Sequence, residues 1–314
     1  MRPPWSMVIF TVLAGLGQGL LVMLILEQWG SFSSQAPATD SLAFLGPSMF
    51  AFGLLFAGLI SAFFHLGRPS RAWRSASQWR TSWLSREIIV MPVVLGFTFV
   101  HGLQGVLGLP EIFGPLWKVV APLALLACLA MWICTAMIYG CLKFLQEWST
   151  PWTPAAFILF GLTGGALFFG LSRTLLPVDG LLVSKPLIGL LLLISLAVKA
   201  FIFKRNAGLR PKSTLRSATG IPGNVRQVSM GIMGGSFNTR EFFHGVSLSL
   251  MRQLRPTVLM LAFVLPMVML FVLPLTPLTA GFIALVHLLG MVAERWLFFA
   301  QANHPQNLYY QRIS

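Results

Sequence analysis

The chain alternates long apolar runs with short polar breaks, and the length of the runs decides what they are. Roughly 30 Å of hydrocarbon takes about 20 apolar residues in a helix. Runs of that order occupy 8–26, 44–64, 88–107, 118–141, 155–172, 186–203, 257–272 and 279–298. The pattern predicts an all-α integral membrane protein, a bundle of eight transmembrane helices making one polytopic membrane domain over residues 1–314. The first run has the hydropathy of a secretion signal. No Ala-x-Ala-like cleavage chemistry follows Leu26 and no Arg-Arg pair precedes the run, so it reads as an uncleaved first span.

Composition agrees with the pattern. Hydrophobic residues make up 56% and charged residues 10% of the chain, with a mean hydropathy of +0.79. Soluble domains are about one quarter charged. Glycine and proline recur inside the runs, as at Gly161, Gly164, Gly165 and Pro266. In a membrane these are first of all packing features, since small residues let helices approach and a proline-freed carbonyl finds other partners. Cys128, Cys134 and Cys141 all fall in the fourth run at spacings that form no chelating pair. The expectation is therefore no iron–sulfur cluster, structural zinc or other metal site in this chain.

Charge sets an orientation. Threading eight spans puts both termini and the 65–87, 142–154 and 204–256 connections on one side. Of the 22 Lys and Arg, all but Lys118, Arg173 and Lys185 lie on or nearest that side. The positive-inside rule assigns it to the cytoplasm, with both termini, in the inner membrane of a bacterium. A net charge of +14 would point to nucleic acid in a soluble chain. Here topology and anionic lipid headgroups account for most of it.

The connection between the second and third runs carries more than polarity. Between His65 and Glu87 it holds Arg68, Arg71, Arg74, Arg80 and Arg86 together with Trp73, Trp79, Trp83 and Ser85. Its ends belong to the last turn of one helix and the first turn of the next, so His65 and Glu87 are expected at one depth. An imidazole and a carboxylate, ringed by arginine and indole, can exchange protons and steady negative charge on a ring-shaped ligand. Two plainer readings stand beside this one. Arginines grip phospholipid phosphate, and indoles gather at interfaces regardless of function.

The 204–256 connection is long for a compact membrane protein, and such loops are functional or disordered. Within it, Arg240, Glu241, Phe242, Phe243 and His244 read as a docking element for a cytoplasmic partner, or as a short helix lying on lipid. His101 and His287 fall well inside the third and eighth runs and raise the question of a bis-histidine haem, although each span supplies only one ligand. Glu294 and Arg295 pair with each other, face the interface, or belong to a proton path.

The loop also carries a resemblance. His65-Leu66-Gly67-x-Pro69-x-Arg71-Ala72 and Ser85-x-Glu87-Ile88, within an eight-span pattern, resemble the membrane anchor subunits of dimethyl sulfoxide reductase. Residues 79–87, Asn238-Thr239-Arg240-Glu241-Phe242 and the ending His304-Pro305-Gln306-Asn307-Leu308-Tyr309-Tyr310 are similar to one branch, the anchors of cytoplasmic sulfite dehydrogenases. The resemblance implies a three-subunit complex with a molybdopterin catalytic subunit and a ferredoxin-like iron–sulfur subunit. The anchor would couple them to ubiquinone or menaquinone without a haem of its own. It places the family's quinol-site histidine and glutamate on His65 and Glu87. The headgroup neighbourhood is then Arg68, Arg71, Arg74, Trp79, Arg80, Trp83 and Ser85. Enteric dimethyl sulfoxide reductase anchors present their partners to the periplasm, whereas charge turns this face to the cytoplasm, which favours sulfite oxidation over quinol-driven sulfoxide reduction. A secondary transporter, a reading from another class, would carry broken helices in two matching halves and a site near mid-membrane.

Overall fold

The computed structural model describes residues 3–33, 44–64, 66–107, 110–175, 183–211, 213–226, 228 and 244–305, and among them every regular element is helical. Eight helices are long and apolar enough to cross a membrane. Six come first: α1 (Trp5–Ser33), α2 (Leu45–Phe63), α3 (Trp83–Leu107), α4 (Pro110–Gly140), α5 (Trp152–Leu175) and α6 (Lys185–Ala207). A 3-10 helix (Pro69–Gln78) joins α2 to α3, and the short α7 (Leu215–Thr219) follows α6. The seventh span is built from α8 (Leu248–Leu259), a π-helical turn (Met260–Val264) and α9 (Leu265–Val272); α10 (Pro277–Ala300) completes the set.

Several helices begin earlier than their apolar runs, and at two of them a serine cap marks the start. The Ser82 hydroxyl accepts from the Ser85 N–H at 3.3 Å, which starts α3 at Trp83 rather than near 88. Ser247 does the same for the Leu250 N–H at 3.4 Å, so α8 starts at Leu248, well before the expected 257. Glu87 consequently sits in the second turn of α3, one turn deeper than expected.

The bundle is organised around α1, which packs against α2, α4, α5 and α10. Glycines two apart in α1 face opposite ways, because successive helical residues turn by about 100°. A Cβ at Gly17 would lie 2.7 Å from Leu55 Cγ and 2.9 Å from Ala51 O on α2. On the other face, a Cβ at Gly19 would lie 1.9 Å from Gly161 O, and one at Gly165 2.0 Å from Gly19 C. Backbone meets backbone there, so α1 and α5 fit only with small residues on both sides.

Hydroxyl groups inside the bundle bond to their own helix or across to a neighbour, as hydrocarbon favours. Thr98 donates back to Val94 O at 2.7 Å, and Thr163 of α5 shares a 2.7 Å hydrogen bond with Ser195 of α6. Pro266 has no N–H to offer Ala262 O, four residues earlier. His287 of α10 fills that place, its Nδ1 donating to Ala262 O at 2.6 Å. The two helices come this close because position 290 is glycine: a Cβ there would lie 2.3 Å from Ala262 N.

Replacing Gly19 by Val should therefore prevent α1 and α5 from closing, with loss of monodisperse protein after detergent extraction. Gly15, whose Cβ would meet nothing within 4 Å, should accept Ala with an unfolding midpoint equal to or slightly above that of the unaltered protein.

Candidate functional site

One end of the bundle gathers the 3-10 helix, the start of α3, the α4–α5 connection and the ends of α6 and α10. The 3-10 helix opens with Pro69, whose fixed φ suits a first helical position. In a 3-10 helix residues three apart eclipse. Arg71, Arg74 and Ser77 accordingly line one exposed edge, while Ala72, Ser75 and Ala76 are half-buried toward the bundle. Ser85, buried in the first turn of α3, donates to Ser75 O at 2.5 Å and ties the 3-10 helix down.

Arg86 makes a second tie. Its Nε donates to Trp79 O at 2.9 Å and its Nη2 to Arg80 O at 2.8 Å, while the guanidinium lies 4.3 Å from the centre of the Trp83 ring. Arg86 is thus a brace between α3 and the loop that precedes it. Arg68, Arg71, Arg74 and Arg80 are exposed, the last two lying 5.4 Å from the Trp73 and Trp79 rings respectively. Trp73 is 72% and Trp79 53% exposed, so these indoles face the surroundings of the bundle.

Glu87 lies beneath this cover, 4% exposed, and its Oε1 accepts a hydrogen bond from the Thr135 hydroxyl of α4. No arginine forms an ion pair with it among the described residues. The expected ring of guanidinium groups around the carboxylate is therefore replaced by a threonine below and arginines on an outer edge. His65 lies outside the described residues, as do Arg240, Glu241, Phe242 and Phe243 of the docking element. His244 is described: it is buried, its Nδ1 accepts from the Val246 N–H at 3.1 Å, and burial lowers its pKa from the ordinary histidine value.

The same end is locked by an aromatic corner. Tyr139 of α4 meets Trp148, Phe298 and Phe299 edge-on, with ring centres 5.3, 5.6 and 5.2 Å away. The Trp148 indole donates to Phe298 O at 2.9 Å. The backbone after α10 returns to this corner, where Asn303 donates to Glu147 at 3.3 Å and His304 meets Phe144 edge-on at 5.3 Å.

A second polar group lies deeper. Lys199 of α6 contacts Glu294 of α10 at 2.5 Å, and Arg295 Nε lies 3.4 Å from the other carboxylate oxygen. All three side chains are buried. The Glu294–Arg295 pairing is one of the arrangements expected from sequence; Lys199 entered that reading only as a charge near the basic end. The signal was available, since a lysine inside an apolar run requires an acid on a neighbouring helix.

The two intramembrane histidines do not converge. His101 of α3 meets Ser48 of α2 at 2.7 Å, whereas His287 of α10 is held by the π turn and faces Gly164 of α5. At the opposite end of the bundle, a cavity of about 180 Å³ between α5, α6, α9 and α10 has Arg173 and Lys185 among its lining. It is separate from the Glu87 end.

The comparisons with known proteins agree with this architecture. Residues 1–300 match the sequence family described as DMSO reductase anchor subunit (DmsC). The protein is 40% identical to a sulfite dehydrogenase subunit of Allochromatium vinosum, with the full length of both covered. It is 28% identical to a subunit of the anaerobic dimethyl sulfoxide reductase of Escherichia coli, over 56% of its own length and 60% of that relative's. A match over nearly the whole length, on a bundle of eight membrane-spanning helices whose Ser85–Glu87 segment is built into the start of α3, places the chain in the DMSO reductase anchor subunit family.

Proposed function

We propose that this chain is the quinone-reactive membrane subunit of a molybdopterin and iron–sulfur oxidoreductase, working as one domain and passing electrons from sulfite oxidation at the cytoplasmic face to membrane quinone. Full-length similarity to a sulfite dehydrogenase subunit supports the substrate. The observation that carries the quinone assignment is Glu87, a carboxyl shielded from water inside the bundle yet only one helical turn from the loop end, with Thr135 to orient it.

The chemistry balances across such a complex. Oxidation of sulfite to sulfate, with oxygen from water, releases two electrons and two protons, and reduction of quinone to quinol consumes two of each. Electrons would reach the headgroup from the terminal cluster of the iron–sulfur partner. Negative charge then develops on a quinone oxygen, and a positioned acid lowers the barrier by delivering a proton. His65 is the direct donor in this reading. Glu87 orients it or reprotonates it, with the Thr135 hydroxyl fixing the carboxyl rotamer. Arg71 and Arg74, eclipsed on the exposed edge of the 3-10 helix, offset charge at the headgroup. Arg86 is occupied by backbone carbonyls and serves to hold the loop in place. Trp79 and Trp83 wall the headgroup, and the isoprenoid tail lies along the apolar helices.

His65→Ala and Glu87→Gln should each lower quinone-linked turnover by about 10² to 10⁴, the usual cost of losing a positioned proton donor. Oxidation of sulfite with an artificial acceptor that draws electrons directly from the soluble subunits should persist. Loss of both activities together would make the loop an assembly element, and retention of both would move the headgroup elsewhere.

The docking element is read as an interface with the iron–sulfur subunit. Replacing Phe242 and Phe243 by Ala should release the catalytic subunits into the soluble fraction while the anchor remains in the membrane, because buried aromatics dominate such contacts. A complex that stays fully membrane-bound would assign these residues to lipid instead.

Orientation is tested separately. A reporter active only in the cytoplasm, fused after Ser314, should be active, and a periplasmic reporter at that point silent; the reverse result would overturn the cytoplasmic assignment of the partner face.

A further inference from the structure

The Lys199–Glu294–Arg295 group presents an imbalance of charge. A guanidinium stays protonated in any protein environment, so Arg295 alone neutralises the Glu294 carboxylate. If Lys199 is an ammonium, the group carries one net positive charge inside the bundle. If Lys199 has released its proton, the group is neutral. Isolated charge in such surroundings is costly, and the two states differ by a single proton on a 2.5 Å contact.

The surroundings supply partial solvation rather than a fourth charge. The Lys199 ammonium nitrogen lies 4.7 Å from the centre of the Phe203 ring. The Arg295 guanidinium lies 3.7 Å from the Phe157 ring centre and 5.8 Å from those of Phe160 and Phe298. Arg295 also borders a cavity of about 20 Å³ lined by Thr11, Gly15, Phe160 and Met291, enough for one water molecule. Its Nε makes no hydrogen bond.

Few other ionisable groups face the pair. On α10, His287 lies two turns away and is bonded to Ala262 O. From α4 comes Tyr139, within electrostatic reach of both Arg295 and Glu87. From α5 and within α6 the nearby polar groups are the Thr163 and Ser195 hydroxyls, bonded to each other. Arg252 and Arg255 of α8 are exposed, and α9 contributes no charge. Tyr139 is one helical turn from Thr135, the partner of Glu87, and its ring packs on Phe157 and Phe298, two of the rings around Arg295. Measured from helix ends at 1.5 Å per residue, Glu87 lies roughly 6 Å deep, Glu294 roughly 9 Å and Lys199 roughly 12 Å. Glu87, Thr135, Tyr139, Arg295, Glu294 and Lys199 thus lie at one end of the bundle, with the Phe157 and Phe298 rings packed against both Tyr139 and Arg295.

We propose that the Lys199–Glu294 pair is an intramembrane proton-exchange site, taking up one proton as negative charge develops at the Glu87 end and releasing it when that charge is quenched. Uptake converts the Lys199 amine to an ammonium shared with the Glu294 carboxylate; release reverses it, and no electron moves. Arg295 holds the carboxylate ionised in both states, so that the pair's charge changes with the proton. The site goes beyond the headgroup chemistry but rests on the quinone reading for the source of negative charge.

Lys199→Arg separates proton exchange from structure, because arginine keeps the charge and the ion pair but cannot release the proton. In the intact complex this variant should assemble and oxidise sulfite normally with the artificial acceptor. Its quinone-linked turnover should fall on the order of 10-fold, less than for loss of a direct donor, and its pH profile should lack one ionisation present in the unaltered complex. A rate and profile like those of the unaltered complex would overturn the proposal and leave the pair a structural tie. Should Lys199→Arg fail to assemble, Lys199→Met removes the exchanging proton and leaves the Glu294 carboxylate neutralised by Arg295, and should lose the same ionisation; retaining it would again overturn the proposal. Infrared difference spectra of the resting complex between acid and alkaline pH report the pair without quinone turnover. A pH-dependent carboxylate signal abolished by Lys199→Arg and by Glu294→Gln supports the site even if Glu87→Gln disproves the headgroup assignment, and the same signal in all three overturns it.

Discussion

Inside hydrocarbon no water stands ready to pair with a polar group, and much of this structure follows from that single constraint. A helix satisfies its own backbone until a proline interrupts it. At Pro266 the interruption is absorbed by a π-helical turn, by a histidine on the next span and by a glycine that lets the two helices touch. Hydroxyls inside the bundle either return to their own helix or bridge to a neighbour. Lysine and glutamate meet across α6 and α10 because neither is tolerable alone at that depth.

The same constraint separates the two kinds of arginine at the loop end. Arg86, at the first turns of α3, uses its fixed fork of donors on the carbonyls of Trp79 and Arg80, so that the backbone's entry into the bundle is rigid. The arginines of the 3-10 helix have no such obligations and remain on an exposed edge. A mixed role follows for the loop. Ser85 and Arg86 fasten it to the start of α3, where Glu87 is buried, and its outer residues present positive charge and indole at the surface of the bundle.

Close packing between α1 and α5 makes this arrangement possible. The backbones approach at Gly19, Gly161 and Gly165, and α1 lies at the centre of the bundle with α2, α4, α5 and α10 around it. Helices that carry Glu87, Thr135, Tyr139, Glu294 and Lys199 are then brought to one end without a long loop between them. The aromatic corner of Tyr139, Trp148, Phe298 and Phe299 seals that end from inside.

Eight spans and the crowding of basic residues at one end were legible in the sequence because bilayer thickness acts directly on composition, residue by residue. The 65–87 connection stands out in the sequence because ionisable residues and indoles accumulate within a short stretch, and the site built on it is the reading proposed above. Helix starts departed from the apolar runs at several spans, with a serine cap at Ser82 and Ser247 and without one at Pro110, where α4 begins ahead of its run. What the sequence by itself could not decide is which polar groups meet. Thr135 binds Glu87 from 48 positions away, His287 finds Ala262 across 25, and Lys199 finds Glu294 across 95. Each of these contacts depends on the rotation of two helices about their own axes and on their separation, and those are set only when the small residues of α1, α5 and α10 bring the backbones together.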